Sequence, residues 1–260
     1  MIYVGETYDE MIGKSYDFDK KVYETSTHWN ILRSLYKDNY LEENIRNERI
    51  PKKIHQIWLG SDFPADYVKY STSWKIVHPA WEYKLWTDDD IKDVDIPNRK
   101  LFDSITNVAQ KSDFLRYHIL LQYGGIYVDT DFECIKPFDN LLYLDFFTGV
   151  GYPKEVELYI GLIGSVPKHQ ILRHIILNMI EAKYDGSWKK MFQTTGSYFF
   201  TKMFFDMVNQ YTVGVVAFPP DFFYPYPNNV RRNDEIDPYS FVKPISYAIH
   251  HWAVSWRAKK

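Results

Sequence analysis

The stretch YGGIYVDTDFECIKPFD, residues 123–139, places two aspartates one residue apart behind two glycines and a short apolar run. Read as a β-strand, it sends Tyr127, Asp129 and Asp131 to one face and Ile126 and Val128 to the other. Carboxylates spaced by two strand residues, about 7 Å, suit a hard divalent cation held partly by water or by phosphate oxygens. Two other uses of such a string fail at once. A calcium-binding EF-hand loop needs glycine at its sixth position, and there is none. A phosphoaspartyl phosphatase pattern wants Thr or Val two residues after the second aspartate, where Glu133 stands.

Upstream, Asp113 and Arg116 are three residues apart on a predicted helix and so share a face. Alone they would read as an intrahelical ion pair. Because that helix feeds straight into the aspartate-bearing strand, they can also reach its rim. There an acid can accept sugar hydroxyls and an arginine can hold a phosphate. The run Asp88-Asp89-Asp90 is a weaker metal candidate, since Thr87 and Asp90 have the spacing of a helix capping box.

Elements that could position these groups are legible. IPKKIHQIWLG reads as a strand opened by Pro51 and closed by Gly60, and WEYKLWTDDDI as a second strand entering a helix. ITNVAQKSDFLRYHILLQYGG reads as a long helix with Gly124 at its stop, and GIYVDTD as the next strand. Strand, helix, strand, helix, strand over residues 52–131 predicts an α/β fold with a mainly parallel, Rossmann-like sheet flanked by helices. Ligands of such sheets bind beyond the carboxyl ends of the strands, which puts Trp58 and the aspartates on one rim. Before this unit, residues 1–49 read as a helical extension with an apolar stripe of Trp29, Leu32, Leu35 and Tyr36. Later strands (FFTGVGY, LYIGLIGS, SYAIHHW), two apolar helices and a proline-rich aromatic loop, FPPDFFYPYPNNV, complete the chain. With no repeat or low-complexity linker, the division is 1–49 as extension and 50–260 as one domain.

Composition narrows the class. A net charge of −3 gives no case for nucleic acid, which needs a concentrated basic surface. Cys134 is the only cysteine, which excludes an intrachain disulfide and a cysteine-based zinc site. It reads as a packing residue. No apolar run approaches the roughly 18 residues of a membrane span, and the N-terminus lacks a signal-peptide pattern. A cytoplasmic protein is the expectation, with peripheral contact at the inner membrane face left open. Aromatic residues make up 18%, enough to supply stacking faces for sugars or bases as well as core.

Taken together, S-D-F-L-R-Y, a short spacer and G-G-I-Y-V-D-T-D closely resemble the signature of glycosyltransferase family 32, the sugar-binding-region family containing a DXD motif. That family includes yeast initiating α-1,6-mannosyltransferases and bacterial capsule enzymes, and the glucosylating domains of clostridial toxins are related. IPKKIHQIWLG is similar to the family's opening strand, and AIHHWAVSW to its closing segment. TTGSYFFT resembles its T-G-P region, with Ser197 in place of proline, so acceptor specificity is not carried across. The resemblance runs from about residue 50 to 256.

It implies a GT-A fold and a metal-dependent, retaining hexosyltransferase using a nucleotide sugar. Carried over, Trp58 with Ile57 would hold the nucleobase, and Asp113 and Arg116 the donor sugar and its phosphates. Tyr127 would pack near the ribose, Gly125 would let the sugar approach, and Ser255 and Trp256 would touch the diphosphate. Asp131 would ligate Mn2+ or Mg2+ directly, and Asp129 would contact the ribose or sugar and reach the metal through water. One of the adjacent His250 and His251 would complete the shell; they point oppositely in a strand, and His251 is favoured. UDP-hexose is the preferred donor and GDP-mannose the second. The acceptor would be a glycan of a capsule or cell surface, lipid-linked or not, with protein as an alternative. A non-catalytic carbohydrate-binding module would leave Asp113, Arg116, Asp129 and Asp131 without a purpose. A sugar-phosphate nucleotidyltransferase would need a glycine-rich phosphate loop near the N-terminus, and none is visible.

Overall fold

A computed structural model describes residues 6–14, 18–42, 47–151, 156–181 and 192–253. Three helices come first: α1 (Tyr8–Gly13), α2 (Lys20–Thr25) and α3 (Thr27–Tyr36). Thr7 and Glu10 form a capping box on α1, and Asp19 caps α2 through the amides of Lys21 and Val22. These contacts satisfy amides that the first helical turn leaves without partners. The predicted stripe Trp29, Leu32, Leu35 and Tyr36 is buried. Tyr36 packs edge to face on Phe218 and Phe222, which docks the helices against one edge of the sheet.

The remaining elements are β1 (Lys53–Ile57), α4 (Ala65–Val77), β2 (Glu82–Trp86), α5 (Arg99–Ser104), α6 (Val108–Tyr123), β3 (Gly125–Val128), β4 (Phe132–Cys134), β5 (Phe146–Val150), β6 (Leu158–Ser165), α7 (Gln170–Glu181), α8 (Ser197–Val208), β7 (Val215–Phe218), α9 (Pro220–Phe223) and β8 (Ala248–His250). Six strands form one sheet in the order β2-β1-β3-β6-β5-β7, and β4 pairs with β8 in a second, two-stranded sheet. Within the main sheet only β6 runs against its neighbours. The expected α/β class with a mainly parallel sheet flanked by helices is the observed one. Residues 88–93 form a short 3-10 helix after β2, opened by the expected Thr87–Asp90 capping box.

Three boundaries differ from the sequence reading in ways that matter to the site. Helix α6 starts at Val108, because Asn107 caps it by accepting from the Gln110 amide. Strand β3 ends at Val128, so Asp129-Thr130-Asp131 is a turn and not the end of a strand. The turn is closed by the Phe132 amide on the Asp129 carbonyl at 3.1 Å, and it carries the chain from the main sheet into the small one. The last strand is likewise short, covering only Ala248–His250. The segment read as an aromatic loop is largely core: it contains α9, and Phe222, Phe223 and Tyr224 are buried.

Gly124 ends α6 as expected, with φ of 62° and its amide on Leu120. Gly125 departs from its expected role. It has φ of 97°, and a Cβ there would lie 2.7 Å from the Lys53 carbonyl, so β1 and not a sugar sets the need for glycine.

Candidate active site

Where β1 and β3 end and the antiparallel β6 begins, a cavity of about 1160 Å³ opens between α6, the DTD turn and the β8 strand. Its walls include Ile57, Trp58, Asp113, Arg116, Asp129 and Asp131. The topology explains the meeting. β1 and β3 are parallel neighbours, so residues that follow them emerge on the same rim.

Arg116 is the hub. Its Nη2 lies 2.8 Å from Asp113 Oδ1 and its Nη1 3.1 Å from Asp129 Oδ1. Nη1 also donates to the Ile160 carbonyl at 2.8 Å. The guanidinium carbon sits 4.5 Å from the centre of the Tyr127 ring, and the Tyr127 hydroxyl donates to Asp129 Oδ1 at 2.7 Å. Side-chain exposure is 6% for Arg116 and 8% for Asp113, so that pair is interior, while Asp129, at 31%, opens toward the cavity. The buried cation is held firmly, because removing it would strand the buried Asp113 carboxylate. Burial pushes the Asp113 carboxyl up to about 6, with Arg116 working in the opposite direction. Burial raises Asp129 as well, again opposed by Arg116. Tyr127 is 2% exposed, so it chiefly supports Arg116 and Asp129.

Beyond this cluster stands the second aspartate. Asp131 Oδ1 lies 3.1 Å from His250 Nε2, and its Oδ2 accepts the Ala253 amide at 2.7 Å. Among the described residues, Asp129, Asp131 and His250 form a group whose ligand atoms all lie within 4.8 Å of one another. Two carboxylates and one imidazole are a donor set for Mn2+ or Mg2+, the carboxylates suiting either ion and the nitrogen favouring manganese. These residues fit the cation that the sequence implied.

The expectation for His251 is corrected. Its Nε2 is 2.9 Å from Glu133 Oε2 and its ring stacks on Tyr70 at 4.5 Å, on the far side of β8. Alternation of side chains separates the two histidines, and the pairing of Phe132 with His250 across β4 and β8 decides which one faces Asp131. Trp58 lies at the cavity edge, its indole N–H directed at Ser61 Oγ and the Asp62 carbonyl at 3.2 and 3.1 Å, leaving the ring to line the opening. Gly125 is not among the lining residues, and Ser255 and Trp256 lie outside the described residues. Cys134 is buried, with burial pushing its thiol up, so it stays protonated even though His78 Nδ1 is 3.9 Å away.

Several lining residues were not singled out from the sequence. Gly161 accepts the Asp129 amide at 2.8 Å, and a Cβ there would lie 2.9 Å from Asp129 Oδ2, so β6 needs glycine to seat the first aspartate. Glu157, Tyr198 and Trp252 also line the cavity. Glycine inside the strand-like LYIGLIGS was the available sign of a close approach.

The fold and this rim define a GT-A type domain. The structure superposes on PaToxG glycosyltransferase with a TM-score of 0.52 at 17% identity, covering 73% of this chain and 77% of that one. A family model described as glycosyltransferase sugar-binding region containing DXD motif matches residues 64–147. An uncharacterized glycosyltransferase of Acanthamoeba polyphaga mimivirus is 34% identical over 173 residues, 63% of this chain and 66% of its own length. Inositol phosphoceramide mannosyltransferase 1 of Schizosaccharomyces pombe is 31% identical over 171 residues, 60% of this chain and 52% of its own length. The chain belongs to the DXD-containing sugar-binding-region family of glycosyltransferases. It spans roughly half to two-thirds of the length of these relatives. No described helix is long and apolar enough to cross a membrane.

Proposed function

We propose that the protein is a metal-dependent, retaining glycosyltransferase that moves a hexose from a nucleotide sugar to a saccharide acceptor, free or lipid-linked. In this reading residues 50–260 form the catalytic unit and residues 1–49 a helical extension. The observation that carries it is the meeting of two charge systems in one cavity: Arg116 with Asp113 and Asp129, and Asp131 with His250. A carbohydrate-binding module has no use for that pairing.

Asp131 and His250 would hold a divalent cation, with Asp129 beside them. The cation would supply Lewis-acid stabilisation of charge on the leaving diphosphate. Trp58, with Ile57, would present a face to the nucleobase. Asp113 would accept hydroxyls of the donor sugar, and Arg116 would stabilise negative charge from a dry, preorganised position. Asp113 and Asp129 are both tied to Arg116, so neither is placed to take a proton as a free base. Retention of configuration, by attack of the acceptor hydroxyl on the face of the leaving group, is the stereochemistry of this reading.

Mannose gains ground over the UDP-hexose preferred from the sequence, because one of the relatives is named a mannosyltransferase. GDP-mannose therefore stands first and UDP-hexoses second. The test is donor turnover with product anomers read by proton NMR. Mn2+-dependent transfer with retention is expected. Inversion would remove the front-face mechanism, and no turnover of any donor would remove the reading itself.

A further inference from the structure

Of the four acids lining the cavity, three are accounted for by Arg116 or His250. The fourth, Glu157, is not. It lies just before β6, and its side chain accepts a hydrogen bond from the Ser197 hydroxyl at the start of α8. Burial raises its carboxyl, opposed by that hydrogen bond. Two residues earlier, Thr195 Oγ1 donates to Asp113 Oδ2 at 3.2 Å. The segment 195–197 thus ties the sugar-side acid Asp113 to Glu157 across a chain span of at most about 7 Å. Next to Ser197, Tyr198 is 59% exposed and lines the same cavity.

We propose that Glu157 and Tyr198 form the acceptor subsite, with Glu157 accepting a hydrogen bond from the attacking hydroxyl of a saccharide and Tyr198 offering it a ring face. This deepens the transferase reading and rests on it. In the step, the acceptor oxygen bonds to the anomeric carbon as the bond from that carbon to the diphosphate oxygen breaks. The electron pair leaves with the diphosphate, and the hydroxyl proton ends on a departing phosphate oxygen. Glu157 orients the hydroxyl and is unchanged at the end. Ser197 holds the Glu157 side chain in place, so it is a positioning residue. The same serine is where the chain departs from the proline of the related T-G-P region.

The test separates transfer to water from transfer to sugar. With GDP-mannose and a panel of UDP-hexoses, each donor is assayed alone and with methyl α-hexopyranosides as acceptor probes. Glu157→Gln keeps a partner for Ser197, and Tyr198→Ala alters an exposed position, so at least one variant reports on a folded protein. Acceptor KM is expected to rise about tenfold or more in Glu157→Gln, the scale of one hydrogen bond to a charged group, and to rise in Tyr198→Ala through loss of the ring face, while donor affinity, read by thermal shift with Mn2+, stays at the wild-type value. Unchanged acceptor KM in both variants would overturn the subsite, since a helix-capping role alone would leave it unmoved. Failure of every hexoside to raise donor consumption by the wild type would also overturn it. If wild type neither binds nor hydrolyses any donor, the failure belongs to the transferase reading, and the subsite falls with it.

Discussion

The guanidinium of Arg116, midway along α6, reaches 3.1 Å from Asp129, the first aspartate of the DTD turn, and so couples the helix to the loop between the two sheets. The same side chain holds Asp113 at 2.8 Å. Position and charge at the rim therefore depend on one interior cation.

Removing that cation should be costly in two ways. Arg116→Met leaves Asp113 and Asp129 without their shared cation, and breaking a buried pair in this way costs about 3–5 kcal/mol. Denaturant unfolding should show this, and donor binding should be lost. Arg116→Lys should restore part of the stability but not donor affinity, because an ammonium cannot span two carboxylates with a fixed fork.

Burial sets a pH dependence through Asp113. Its carboxyl is held at about 6 against an ordinary value of 3.8. A folded value above the unfolded one means the group's contribution to stability is full below pH 3.8 and is lost as pH rises through about 6. Donor binding runs the other way, because an ionised Asp113 is needed to accept sugar hydroxyls. Affinity should therefore fall as pH drops through about 6, an acid limb that Asp113→Asn should abolish along with most binding. The same variant should melt no lower than wild type at pH 7. A lower melting temperature would mean that its pairing with Arg116 outweighs the cost of burying the charge.

The two histidines should separate cleanly. His250→Ala should weaken Mn2+ binding by at least tenfold, the lower end of what even outer partners of a metal site cost, read by calorimetry on the whole chain. His251→Ala should leave Mn2+ affinity intact and lower stability by roughly 1 kcal/mol through loss of its bond to Glu133. Reversal of these effects would return the ligand role to His251.

Much of this was legible in the sequence because the signals were local. Alternation grouped Tyr127 with Asp129, helical spacing grouped Asp113 with Arg116, and the parallel order brought Trp58 to the same rim. Gly124 and the Thr87–Asp90 box announced element ends through backbone chemistry that few other residues satisfy. What escaped depended on pairing between distant segments. The register of β4 on β8 selects His250, and the approach of β1 explains Gly125. The turn at Asp129 arises because the chain changes sheets, which alternation within VDTD cannot reveal. Glu157 was invisible for the same reason: its significance comes from Ser197 and Asp113, far along the chain on either side.

The central claim is that Asp131 ties a divalent cation to a nucleotide sugar. The most direct measurement is a thermal shift of wild type and Asp131→Asn against GDP-mannose and UDP-hexoses, each with and without Mn2+. A ligand that binds only the folded state raises the melting temperature by mass action. The account predicts a shift for one donor that requires both Mn2+ and Asp131. A donor shift that survives without the metal, or is undiminished in Asp131→Asn, would contradict it.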